Sequence, residues 1–146
     1  MTRNERILVW LLRVTGVIML SALGAVVMPF GWMNSIHLQL SLGVLPDVTI
    51  VGYLTRSISA LYALHGALLI FLSYDVRRYV PVIRFLAVTD AVFGGMMLGI
   101  DRAVGMPLFW MVSEGPSIVA SGLFILWLTA RKRFPYAPNT QPDSAV

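Results

Sequence analysis

Apolar positions in the chain gather into four long runs at about 7–30, 48–73, 79–100 and 107–130, separated by short polar stretches. A helix rises about 1.5 Å per residue, so about 20 apolar residues cross the hydrocarbon core of a bilayer. Every run meets that length. The pattern predicts an all-α polytopic membrane protein, with four transmembrane helices in an antiparallel bundle over 1–133 and a disordered cytoplasmic tail over 134–146. That tail holds Pro135, Pro138 and Pro142 among polar residues.

The breaks between runs carry their own signals. Gly31 to Asp47 holds turn formers at Gly31, Asn34, Gly43 and Pro46, and its centre alternates apolar and polar from Ile36 to Leu42. That period of two suits a short strand or an extended segment on the bilayer surface, with a short amphipathic helix as the alternative. Tyr74-Asp75-Val76-Arg77-Arg78-Tyr79 is a tight basic hairpin turn, and Asp101 to Gly105 reads as a second short turn. Pro107 suits the first turn of the last helix. Pro116, inside that helix, leaves the Val112 carbonyl without its usual partner and loosens the turn around Glu114. Ala22-Leu23-Gly24-Ala25 resembles a signal-peptide cleavage site, but Arg13 interrupts the apolar stretch such a peptide needs. The first run therefore reads as a retained helix.

Helices in lipid associate through close backbone approach at small residues. Three ladders offer it: Ala87, Ala91, Gly95 and Gly99; Ser59, Ala63 and Ala67; Ser113, Ser117 and Ser121. Because the turn between them is short, the second and third helices are expected to run antiparallel and in contact.

Composition agrees with the pattern, since hydrophobic residues make up 58% of the chain and charged ones only 12%. A soluble domain carries about 25% charged residues. The net charge of +4 would suggest nucleic acid in a soluble protein, but here the cations lie beside or within apolar runs and act as topology determinants. No nucleic-acid partner is expected. Arg3, Arg6, Arg77, Arg78 and Arg131-Lys132-Arg133 fall on one side, against Arg102 on the other. Both termini are thus expected in the cytoplasm. Trp10 and Trp127 near one set of ends, and Trp32 and Trp110 near the other, form an interfacial belt. The absence of Cys removes disulfide and thiolate chemistry.

Charges at membrane depth are costly and mark candidate sites. Arg13, His65 and Arg84 come out about 7 to 8 Å to the basic side of the midplane, with Asp90 close to it. Arg56 and Glu114 form a second layer on the far side, where a contact between them is expected. For the first layer the readings are snorkelling to headgroups, an anion or lipid-headgroup site, or a proton relay through His65 and Asp90. Arg56 and His65 are nine residues apart and therefore on opposite faces of their helix. His37 sits in the outer linker, at a different depth from His65, which disfavours haem and metal ligation. No cofactor and no metal are expected.

The block Tyr53-Leu54-Thr55-Arg56-Ser57 through Leu61-Tyr62-Ala63-Leu64-His65-Gly66, with Arg78-Tyr79-Val80-Pro81 and Glu114-Gly115-Pro116, resembles small four-helix bacterial integral membrane proteins of unassigned activity. The resemblance implies the fold and a bacterial cytoplasmic (inner) membrane location, and no functional residue. The leading functional expectation is a non-catalytic accessory or scaffold protein, with the lipid bilayer and a second copy or another membrane protein as partners. The alternatives are a binding or transport component for a small ion, proton, anion or lipid, and an integral membrane enzyme using His65 and Asp90 in acid–base chemistry.

Overall fold

A computed structural model describes residues 1–130, and every regular element among them is a helix. The expected tail and the Arg131-Lys132-Arg133 cluster lie outside the described residues. The elements are α1 (Arg3–Leu20), α2 (Leu23–Val27), α3 (Phe30–Gln39), α4 (Thr49–Leu72), α5 (Val80–Val104), α6 (Leu108–Ser113) and α7 (Gly115–Ala130). They make four stretches long and apolar enough to cross a membrane: α1 with α2, α4, α5, and α6 with α7.

Local chemistry sets the helix ends. Thr2 and Glu5 form a capping box, in which the Glu5 amide donates to Thr2 Oγ1 and the Thr2 amide donates to Glu5 Oε2 at 2.8 Å. At the end of α5, Gly105 takes the left-handed conformation (φ 76°) that suits a residue without Cβ. The fourth span breaks at Glu114, as Pro116 foretells. Near the break, Ser113 and Ser117 hydroxyls donate to the Trp110 and Glu114 carbonyls.

The linker forms α3 where alternation suggested a strand. A lone strand would leave both backbone edges unpaired, whereas a helix satisfies its amides internally. Asn34 and His37 then fasten the chain that follows: Asn34 Oδ1 accepts from the Leu45 amide, and His37 Nδ1 lies 2.9 Å from the Gly43 carbonyl. The third helix is also longer than expected, so Asp101 belongs to its last turn instead of to a loop.

Packing divides the molecule into two helix pairs, α1–α2 with α4 and α5 with α6–α7. The second and third spans meet in the shared core and through His65 and Asp90, 3.6 Å apart, while each packs more extensively on its other neighbour. Val76, in the turn between these two spans, is itself buried in the core that holds Leu12, Leu72 and Ile83. The small faces of α4 and α5 turn to their own partners. Gly66 lies against Gly16 and Leu20, while Ala87, Ala91 and Gly94 lie against Gly122, Gly115 and Ile118. Gly95 and Gly99 face open space. A strict four-residue ladder drifts about 40° per step from a 3.6-residue helix, so the contact stripe passes from Ala91 to Gly94. Ser113 and Ser117 are likewise exposed, and Gly115 and Gly122 take the role assigned to them.

All four spans meet in one core, formed by Leu8 and Leu12 of α1, Leu69 and Leu72 of α4, Ile83 and Ala87 of α5, and Ile125 and Leu128 of α7. This core sits near residues 73–79. Farther along, Leu61 and Ile58 of α4 and Val92 of α5 are exposed.

Candidate functional site

The polar residues singled out by depth do not converge on one cavity, and each is held by a nearby element. Arg56 does not pair with Glu114. Its Nε donates to the Val26 carbonyl at 3.1 Å, its Nη2 to the Met28 carbonyl at 3.2 Å, and its Nη1 to the Gly52 carbonyl at 3.3 Å. Val26 and Met28 lie at the C-terminal end of α2, where a helix leaves carbonyls unsatisfied and carries partial negative charge. Arg56 is therefore a cap supplied by a neighbouring helix. Glu114 accepts a hydrogen bond from Trp110 Nε1, one turn earlier, across the break between α6 and α7.

The other arginines are engaged separately. Arg13 Nε donates to Ser73 Oγ at 3.1 Å, and its guanidinium lies 5.8 Å from the centre of the Tyr74 ring, within cation–π range. Arg84 Nη2 donates to the Thr129 carbonyl, while the buried Thr129 hydroxyl donates back to Ile125 and Leu126 carbonyls in its own helix. Arg13 thus ties α1 to the end of α4, and Arg84 ties α5 to α7.

His65 and Asp90 do come together. Nε2 of His65 lies 3.6 Å from Asp90 Oδ1, with both side chains half-buried at 24% and 29% exposure. The pair joins α4 to α5, which otherwise pack on different partners.

Two further acids, Glu5 and Asp101, are buried although depth alone did not suggest them. Glu5 is buried, and both its oxygens accept from Arg77, at 3.2 Å from Nε and 3.0 Å from Nη2. Its capping role beside Thr2 follows from the Thr-x-x-Glu spacing, whereas its second partner in the 74–79 turn depends on the fold. Asp101 is 3% exposed, and its Oδ2 has no hydrogen-bond partner among the described residues. It lies seven residues past Gly94 and so on the same face of α5.

The forked Glu5–Arg77 contact yields a modest expectation, because the Arg77 side chain is 62% exposed and solvent screens it. Glu5→Gln lowers the thermal midpoint slightly in low salt, and the difference from wild type shrinks as salt is raised. A melting series at two ionic strengths measures this; an unchanged difference would place the effect in the Thr2 cap instead.

Comparison of the chain with family models, curated proteins and solved structures gives no match in any of the three.

Proposed function

We propose that this chain is a small integral protein of a bacterial cytoplasmic (inner) membrane that acts without catalysis, as an accessory or scaffold component. Its spans form an antiparallel bundle with both termini in the cytoplasm. The orientation is supported by charge: Arg3, Arg6, Arg77 and Arg78 stand at one end with Arg131-Lys132-Arg133 after α7, against Arg102 at the other.

One observation carries the scaffold reading. The guanidinium groups of Arg13, Arg56 and Arg84 direct N–H donors to oxygen atoms of the chain itself, each at a different helix contact. A catalytic or transport site gathers such groups around one shared space, where they face a substrate. Here they hold helices in register. Leu61 and Leu64 of α4 and Val92 and Met96 of α5 face outward, available to lipid and to a second copy or another membrane protein.

Native mass spectrometry of the protein released from nanodiscs, combined with ion-flux measurements on reconstituted vesicles, tests this reading. The expected result is more than one copy of the chain per particle and flux no faster than in empty vesicles. A single copy that conducts ions or protons would overturn it.

A further inference from the structure

We propose that His65 and Asp90 form a proton-binding clasp that sets how far the two helix pairs stand apart beyond the four-span core. The ligand is the proton itself, taken up by the His65 imidazole from water and returned to water, with no other bond made or broken.

Position within the packing is the first argument. The buried core that unites all four spans ends on this side at Leu69 of α4 and Ala87 of α5. His65 lies four residues before Leu69 and Asp90 three residues after Ala87, so each is one helical turn past the core. Beyond them α4 packs on α1 and α2, and α5 on α6 and α7. The clasp thus ties the two pairs one turn beyond the shared core, where α4 and α5 otherwise pack on different partners, and a change in separation there carries along the remaining length of each helix.

Chemistry is the second argument. Nε2 of His65 faces Asp90 Oδ1 at 3.6 Å, and both side chains retain partial exposure. An imidazolium beside a carboxylate is drawn to it strongly where little water screens the charges, while a neutral ring offers only a hydrogen bond. Protonation therefore tightens the clasp and proton loss relaxes it. Histidine is the side chain whose charge changes across this part of the pH scale, which makes such a contact responsive to ordinary acidification.

The surroundings leave this pair as the responsive one. On α4 the nearest other titratable group is Tyr62, one turn on, and from the opposing pair the acid is Glu114, held by Trp110 Nε1. On α5 Arg84 is engaged with the Thr129 carbonyl. From α1, the residues facing this level of α4 are Gly16, Met19 and Leu20, none of them titratable, and Arg13 is bonded to Ser73 farther down. Arg56 lies on the opposite face of α4, where it caps α2. The core of Leu8, Leu12, Leu72 and Ile83 holds the other end closed in either state.

Because the chain contains no Cys, a spin-label pair can be introduced without background. Leu61→Cys and Val92→Cys lie past the clasp on exposed positions, at 65% and 58%. In nanodiscs of the full chain carrying His37→Gln, the label-to-label distance should lengthen by about 2 Å or more between pH 5 and pH 9. The nitrogen signals of the His65 ring should move over the same pH range. His65→Gln and Asp90→Asn should each make the distance independent of pH, and Asp90→Glu, which keeps the carboxylate, should preserve the response. A wild-type distance that does not change, a ring that does not titrate in this range, or a pH response that survives both His65→Gln and Asp90→Asn would overturn the proposal.

Discussion

Gly122→Leu destabilises the folded chain by about 3 kcal/mol or more, the upper part of the range for inserting volume into a packed interface. A Cβ at residue 122 would stand 2.5 Å from the Ala87 carbonyl oxygen and 3.1 Å from the Ala91 Cβ. The opposing atoms belong to the α5 backbone or to its shortest side chain, so no rotamer change relieves the clash, and α5 and α7 must separate along a contact that lipid does not replace. Denaturation in mixed micelles, followed by the fluorescence of Trp127 and Trp110, measures the effect. Gly95→Ala is the matched control, since its Cβ would meet nothing within 4 Å. It should be neutral or stabilising by up to about 1 kcal/mol through helix propensity. Equal losses at both positions would show that α5 and α7 do not meet through Gly122.

Arg56→Met removes the donors that satisfy the part-buried Val26 and Met28 carbonyls and destabilises the chain by about 2 kcal/mol or more, taking the lower end of about 1–3 kcal/mol for each acceptor left without a partner. Methionine keeps much of the volume and flexibility of the side chain, so the loss reports hydrogen bonding more than packing. Arg56→Lys should recover only part of it, because an ammonium lacks the planar fork that reaches separate carbonyls. The same denaturation assay decides the matter. If Arg56→Met proves as stable as wild type, Arg56 does not cap α2.

What the sequence made legible was set by long-range averages. Four apolar runs, each about 20 residues or longer, are determined by bilayer thickness, and they appear as four spans with nearly the expected limits. The break at Glu114 was legible because Pro116 acts on its own helix. Partner choice was not. Whether α4 packs more closely on α1 or on α5 depends on backbone approaches such as Gly66 against Gly16, and no periodicity carries that information. The pairing of Arg56 with Glu114 was argued from depth and opposite charge, but three carbonyls closer by satisfied the guanidinium first. His65 and Asp90 were recognisable as candidates from their depth, and only the fold shows that they meet across the junction of the two pairs.

The division into two helix pairs also bears on how the chain is assembled. Tight partners are consecutive in the chain, the first span with the second and the third with the fourth, and so each pair has all its parts as soon as its later member has been synthesised. Contacts between near neighbours in sequence form with little loop-closure entropy. The first pair can therefore dock while the third span is still being made, and the late event is the meeting of two finished halves around Leu72, Val76 and Ile83. Biogenesis becomes a two-subunit association carried out by one polypeptide, with residues 73–79 as the tether that keeps the halves at high local concentration.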